Sequence, residues 1–120
     1  MAWANFERSE FACRCGCDRN EISDSLVDLV QEIRDQVGFA LPVTSGFRCS
    51  NHPIESAKSK PGTHSKGIAA DLAVSHTQAR DVLAVALQLD KGGVGINQKG
   101  DGRFVHVDLD MGRRSLLWTY

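Results

Sequence analysis

The chain reads Gly62-Thr-His-Ser-Lys-Gly-Ile-Ala-Ala-Asp-Leu72 near its middle, and this stretch decides the fold. Side chains of a β-strand alternate between its two faces. One face here is apolar and consists of Ile68, Ala70, Leu72 and Val74. The opposite face is nearly bare until it presents a carboxylate, and it consists of Gly67, Ala69 and Asp71. The alternation predicts a strand over residues 68–74 with one buried side and one side that faces a site.

The segment Phe104-Val-His-Val-Asp-Leu109 repeats this alternation. Its apolar face consists of Val105, Val107 and Leu109, and its polar face of His106 and Asp108. A strand with valines toward the core does not need a histidine and an aspartate opposite them for packing. We therefore predict a second strand over residues 103–109, which follows a hairpin turn at Gly100-Asp-Gly102.

His64, Asp71 and His106 together offer two imidazoles and one carboxylate, a three-ligand set for zinc. Catalytic zinc keeps three protein ligands and leaves the fourth position to water, and the metal makes that water a nucleophile near neutral pH. Taken singly, each residue has a simpler interpretation, since either histidine can be a surface residue and Asp71 can cap a turn. The small residues Gly67 and Ala69 leave room beside Asp71, which favours one zinc ion and hydrolytic chemistry.

Three motifs in order along the chain resemble the LAS metallopeptidases. From its histidine onward, the S/T-x-H-x-x-G-x-A-x-D signature matches residues 64–71. Residues 104–108 resemble the closing strand with its histidine, and Ser45-Gly-Phe-Arg-Cys-Ser-Asn51 resembles the upstream S-G-[YF]-R-x-x-x-N element. Residues 6–17 are similar to the N-terminal segment of the small phage-type carboxypeptidases. The group includes D-alanyl-D-alanine carboxypeptidases, L-alanyl-D-glutamate endopeptidases, lysostaphin-type enzymes and hedgehog-like domains. The resemblance implies a zinc peptidase fold over residues 1–120.

The resemblance also implies an electrophilic role for Arg48. A guanidinium can bind a substrate carboxylate through two hydrogen bonds or stabilise a developing oxyanion. The alternative is a surface salt bridge, which contributes little. Ser45 and Asn51 are expected to position Arg48 or to bind the substrate peptide.

The general base is the point at which the chain departs from this family. Many relatives carry an acid three residues before the last histidine, and Arg103 occupies that position here. Asp108 is the first candidate because it shares a strand face with His106. The alternative role for Asp108 is an acceptor that orients a ligand histidine. Asp101, in the hairpin turn, is the second candidate. His52 and His76 are not expected to be ligands.

The remaining helices and strands are predicted from the spacing of apolar residues and from the residues that begin and end each element. Residues at helical spacing predict a first helix, and they are Leu26, Leu29, Val30, Ile33 and Val37. Ser23 is its expected N-cap and Gly38 its end. We predict a strand over 42–47, a loop over 50–63 and a strand near 94–96. The result is a small α+β domain with two main helices and a mainly antiparallel sheet.

Residue types predict the structure of two further segments, a second helix and the C-terminal residues. Ser75-His-Thr-Gln78 predicts a capping box that opens a second helix, which ends near Leu89. Residues 113–120 are expected to close the domain. There, Trp118 and Tyr120 either line a groove or anchor the terminus to the core.

The chain also contains four cysteines. Cys13, Cys15 and Cys17 alternate, whereas structural zinc sites usually use C-x-x-C pairs. The spacing therefore argues against a second metal site. Reduced thiols are the default without a secretion signal. If the segment is extended, all three lie on one side and can pack as small apolar groups. A disulfide from one of them to Cys49 is the remaining alternative.

Composition excludes several classes of function. With 120 residues and a net charge of −1, the chain has no basic footprint for nucleic acid. No apolar run reaches the length of a membrane span. The first residues lack a basic region followed by an apolar stretch, so no secretory signal is predicted. We expect synthesis in the cytoplasm, with action on the cell wall after release or as part of a virion.

These observations predict a zinc-dependent peptidase that cleaves peptidoglycan stem peptides, resembling phage endolysins. We expect a monomer with one zinc ion. The alternative from another class is a non-catalytic binding or structural module that keeps this fold, because hedgehog-like relatives retain such a site without evident hydrolysis.

Overall fold

A five-stranded mixed sheet and three helices form a single α+β domain. The computed structural model describes residues 3–17, 19–58 and 62–120. The elements follow the order α1 (Asp24–Val37), β1 (Val43–Ser45), α2 (Pro53–Ser56), β2 (Ala69–Leu72), α3 (His76–Leu89), β3 (Val94–Asn97), β4 (Phe104–Asp108) and β5 (Leu117–Thr119). Short 3-10 turns cover Arg8–Phe11 and Met111–Arg113. The α+β prediction is confirmed. Among the described residues, no helix is long and apolar enough to cross a membrane.

The sheet has the strand order β1-β2-β4-β3-β5. Three of its pairings are antiparallel, and β5 runs parallel to β3 at the edge. The two central strands, β2 and β4, therefore pair directly although 31 residues separate Leu72 from Phe104 in the chain. Their apolar faces enter the core, to which they contribute Ala70, Leu72, Val105 and Val107.

Helix α1 forms as the sequence predicts. The Ser23 hydroxyl accepts a hydrogen bond from the backbone N–H of Ser25, which satisfies one of the free donors of the first turn. Gly38 ends the helix with a left-handed backbone (φ 80°). The buried face consists of Leu26, Val27, Leu29, Val30 and Ile33. It packs with α3 against the apolar side of the sheet.

Helix α3 has the expected limits, but the predicted capping box at its start is wrong. In the described structure, the Ser75 side chain makes no capping hydrogen bond. His76 takes a left-handed backbone conformation (φ 54°). This residue turns the chain sharply before the helix, so Ser75 and Gln78 do not have the geometry that reciprocal capping requires.

Other boundaries differ from the predictions at the strand ends. Strand β1 is shorter than the predicted 42–47, and β2 and β4 each lose residues at both ends. The predicted loop 50–63 contains the one-turn helix α2, and its residues 59–61 lie outside the described structure. Residues 113–120, predicted only to close the domain, contain the edge strand β5.

The cysteine-bearing segment is a turn, and the extended conformation considered for it is wrong. The backbone N–H of Cys13 donates to the carbonyl of Arg19 at 2.9 Å, which closes the segment into a loop. Gly16 has a left-handed backbone (φ 95°) that this reversal uses. All four cysteines are free thiols, so the predicted alternative of a disulfide to Cys49 is not formed.

Gly67 joins the loop after α2 to β2 and to the start of α1. Its φ is 73°, and its carbonyl accepts a hydrogen bond from the N–H of Ser23 at 2.7 Å. A Cβ added at this position would overlap the carbonyl oxygen of Glu21. Both the backbone conformation and the close approach therefore require glycine.

We expect Gly67→Ala to lower the free energy of unfolding by about 2–4 kcal/mol, because backbone strain of about 1–2 kcal/mol adds to the steric overlap. Gly38→Ala is the matched control. Gly38 also has a positive φ, but nothing lies within 4 Å of its added Cβ, so only the backbone term of about 1–2 kcal/mol applies. Urea unfolding of both variants measures the difference, and equal losses would contradict the close-packing argument.

Candidate metal centre

One row of residues runs across the sheet and carries most of the site. Asp71 pairs with Ser45 of β1 on one side and with His106 of β4 on the other. His106 in turn pairs with Gly95 of β3, which pairs with Trp118 of β5. Residues directly opposite each other on adjacent strands project from the same face. The sheet thus places a carboxylate, an imidazole and an indole side by side on the face opposite α1 and α3.

His64 reaches this row from the turn that precedes β2. Its Nδ1 lies 2.8 Å from the carbonyl oxygen of Gly46 and donates to it, so Nε2 faces the row. Such a bond fixes the ring orientation and leaves the other nitrogen free to bind a metal. Gly46 itself packs against Phe11, since an added Cβ would lie 2.6 Å from the Phe11 carbonyl oxygen.

The ligand atoms of His64, Asp71 and His106 converge on one point. The Oδ1 atom of Asp71 lies 3.2 Å from Nε2 of His64 and 3.0 Å from Nδ1 of His106. All three ligand atoms lie within 4.8 Å of one another, and all three residues are buried. Ligands at about 2.0–2.1 Å from a tetrahedral zinc ion are separated by about 3.3 Å. The donor set and its spacing therefore fit zinc.

Charge at this point also fits a cation. Burial raises the pKa of Asp71, but hydrogen bonds from His106 and His64 outweigh it and hold the carboxyl well below its usual range. Burial lowers the pKa of His106, and the carboxylates of Asp108 and Asp71 on either side outweigh that effect, so its pKa is raised. The site thus favours positive charge between Asp71 and His106.

Asp108 lies behind His106 rather than in front of it. Its Oδ2 is 2.8 Å from Nε2 of His106, on the side of the ring away from Asp71. Its Oδ1 accepts from the backbone N–H groups of Gly93 and Asp110. Burial raises the pKa of Asp108, but the bonds from His106 and these N–H groups lower it overall. Of the two roles expected for Asp108, this geometry favours the orientation of His106 over that of a general base.

The comparisons with known proteins identify a family for this chain. The profile described as Peptidase M15 matches residues 3–108, which is most of the chain. This chain belongs to the peptidase M15 family. No curated protein matches it. The family resemblance drawn from the sequence motifs is thereby confirmed.

In this M15 peptidase, Arg48 lies next to the three clustered residues. Its Nε donates to the Ser45 hydroxyl at 3.1 Å, and its two terminal nitrogens lie 3.4 Å from Oε2 of Glu55 and 3.5 Å from Oδ2 of Asp71. The Arg48 side chain is 12% exposed. It is therefore held rigidly, and it neutralises the second oxygen of the carboxylate that faces the histidines.

A cavity of about 600 Å³ opens above the three clustered residues. Its described lining is cationic and aromatic, and comprises Arg48, Ile54, Lys58, Gly62, Thr63, His64, Asp71, Phe104, His106, Arg113, Leu116, Trp118 and Tyr120. Asp71 is the sole carboxylate among these described residues. Of the two alternatives for Trp118 and Tyr120, the structure supports lining a groove.

The other candidate residues lie away from the cavity. Asp101 is exposed in the turn between β3 and β4, and Asn51 is exposed beside α2. Neither is among the described residues that line the cavity. His52 caps α2 through its Nδ1, and His76 is exposed at the start of α3. The expectation that these two histidines are not ligands stays a prediction.

The sequence analysis did not predict the part that two residues, Glu55 and Gly95, play in this site. Glu55 is buried, and it accepts from Lys58 and the N–H of Gly62 as well as from Arg48. A charged residue in a polar stretch gives no signal of burial. Gly95 permits the contact between Trp118 and the sheet, because an added Cβ would lie 2.5 Å from the indole nitrogen. The glycine in strand β3 was the available signal.

We expect Asp108→Asn to lower zinc affinity about 10–100-fold. If the amide oxygen keeps the bonds to Gly93 and Asp110, the NH₂ group faces His106 and donates to Nε2. The ring then carries its proton on Nδ1, the nitrogen toward Asp71, and a protonated nitrogen cannot bind a metal. Competition titration against a zinc indicator measures the affinity.

Asp101→Asn is the control, because its side chain lies in an exposed turn and should leave zinc affinity unchanged. Unaltered zinc affinity in Asp108→Asn together with a large loss of hydrolysis would instead favour the general-base role.

Proposed function

We propose that this protein is a zinc-dependent peptidase that cleaves peptidoglycan stem peptides, as a D,D-carboxypeptidase or an endopeptidase. The observation that carries the proposal is the convergence of His64, Asp71 and His106 at the base of a cavity in a chain of the M15 family. The likeness of residues 6–17 to the small phage-type branch supports an endolysin-like role in release from a bacterial host.

His64 would bind the metal through Nε2, His106 through Nδ1 and Asp71 through Oδ1. When bound, zinc would supply an activated water nucleophile and polarise the scissile carbonyl. The protein's own contribution is orientation. The Gly46 carbonyl and the Asp108 carboxylate each accept from the distal nitrogen of one histidine, so neither ring is free to rotate.

The cavity suits a peptide that carries carboxylates. Among the described residues, three cations, Arg48, Lys58 and Arg113, line it together with one carboxylate, that of Asp71. Stem peptides carry free carboxylates close to the bonds that such enzymes cleave, and a guanidinium binds a carboxylate through two parallel hydrogen bonds. The half-buried Trp118 and the exposed Tyr120 give the same cavity an apolar wall for the alanyl parts of the substrate.

Arg48 would act on the substrate from beside the metal. Ser45 and Glu55 hold its guanidinium on one side, and its remaining exposed surface faces the cavity. We assign it to the substrate carbonyl or carboxylate, because a preorganised donor in a partly desolvated cavity stabilises developing negative charge more strongly than water does.

The second candidate function is a non-catalytic module of the same fold. One observation favours it: the described lining of the cavity includes no carboxylate besides Asp71, and both candidate general bases lie outside it. A binding module would hold zinc and stem peptides and leave the peptides intact. The two functions therefore differ in turnover and not in metal content.

Purified cell wall and defined muropeptides, analysed by mass spectrometry, separate these functions. We expect fragment release that a chelator stops and added zinc restores. His64→Ala and Asp71→Ala should lose both hydrolysis and the metal at this centre, because each removes one of three ligands. His76→Asn is the control, since it removes an exposed histidine but keeps a side chain that tolerates a positive φ. Hydrolysis by Asp71→Ala with no metal at this centre would refute the assigned site.

Arg48→Lys should lower kcat/KM about 100-fold or more while zinc content stays unchanged. Lysine keeps the charge but cannot contact Ser45, Glu55 and substrate together. Arg103→Lys is the matched control, because Arg103 contacts only the Gly100 carbonyl and His76 in the described structure and lies outside the cavity lining. Equal rates for the two variants would contradict the role given to Arg48.

A further inference from the structure

We propose that Cys13, Cys15, Cys17 and Cys49 form a second, structural zinc site. This site would hold the N-terminal segment against the residues that follow β1, which include Arg48. The site is separate from the His64, Asp71 and His106 centre and uses thiolate ligands only. It would hold zinc with four protein ligands, the closed coordination typical of structural rather than catalytic sites.

The four sulfur atoms lie as a tetrahedral metal requires. The Sγ of Cys49 is 3.6 Å from that of Cys13, 3.3 Å from Cys15 and 3.5 Å from Cys17. Cys13 and Cys15 are 3.4 Å apart, and all four atoms lie within 4.8 Å of one another. Four sulfurs at about 2.3 Å from zinc would be separated by about 3.8 Å. A small expansion of the cluster would therefore admit the ion.

The competing explanations account for fewer of these contacts. A disulfide joins two sulfurs, whereas Cys49 contacts three at nearly equal distances. Apolar packing explains Cys13 and Cys49, which are buried with Phe47. It does not explain Cys15 and Cys17, because both residues are exposed and yet turn their sulfurs inward toward Cys49.

The backbone around the cluster is arranged to support thiolates. The N–H of Cys49 points at Cys13 Sγ at 3.3 Å, and the N–H of Arg19 points at Cys17 Sγ at 3.4 Å. Such donors stabilise negatively charged sulfur and tune metal–thiolate sites. The Arg19 guanidinium also lies over the Phe47 ring at 5.6 Å. A cation is thus placed beside a site whose four thiolates and one zinc ion would carry net negative charge.

The location gives the site a consequence for the metal centre nearby. Cys49 directly follows Arg48, and the N–H of Phe47 donates to the Phe11 carbonyl at 2.8 Å. The Gly46 carbonyl orients His64, and the N–H of Arg48 donates to the His64 carbonyl. Holding Cys49 against the N-terminal loop therefore fixes the segment 46–49 on which both His64 and Arg48 depend.

Metal content of the full chain, purified without chelator, tests this inference directly. We expect about two zinc ions per chain, falling to about one in the His64→Ala/Asp71→Ala double variant. X-ray absorption of that variant should give four sulfur neighbours at about 2.3 Å. Neither measurement uses hydrolysis, so the result stands apart from the proposed peptidase activity. A double variant without zinc, with rapidly alkylated thiols, would overturn the site.

Cys15→Ser provides the reciprocal test, because an exposed residue changes with little effect on the core. It should keep about one zinc ion at the histidine site and lose the thiolate signal. Amide hydrogen exchange at Phe47 and Arg48 should also become faster in this variant, because the zinc site no longer holds their segment against the N-terminal loop. Two zinc ions retained in Cys15→Ser, disulfide-bonded cysteines or iron in place of zinc would each contradict the proposal.

Discussion

The antiparallel pairing of β2 with β4 sets Asp71 directly opposite His106, and the other groups of the site depend on that register. A shift of one residue in either strand would turn its polar side chain into the core and expose the apolar residues that now lie there. The apolar face of the two strands prevents such a shift, because it is buried under both long helices. Packing on one side of the sheet thus fixes the chemistry on the other, and the same row continues to Gly95 and Trp118.

Much of this could be predicted from the sequence because the signals are local and periodic. Helix α1 has an apolar face at helical spacing between Ser23 and Gly38, and the structure begins and ends it at those residues. The alternation in β2 and β4 separated the core residues Ala70, Leu72, Val105 and Val107 from Asp71 and His106, which line the cavity. Once two strands each carry one histidine or carboxylate on their polar face, pairing them brings those groups within reach of a shared ion.

The parts that could not be predicted depend on contacts between distant segments. The strand β5 has only three residues and pairs in parallel with β3, so neither alternation nor a turn signal marks it. Glu55 is buried only because Arg48 and Lys58 reach it. The contacts of Cys13, Cys15 and Cys17 with Cys49 arise from a loop closure that the sequence does not display.

The family match ends at Asp108, yet part of the cavity wall lies beyond it. Of the proposed ligands, Asp71 and His106 stand on the two central strands and His64 in the turn before β2, whereas Trp118 and Tyr120 come from the edge strand and the terminus after it. The proposed metal ligands and this part of the cavity wall are therefore encoded in different stretches of the gene. Substitutions after residue 108 can reshape this wall of the cavity and leave the proposed ligand set unchanged.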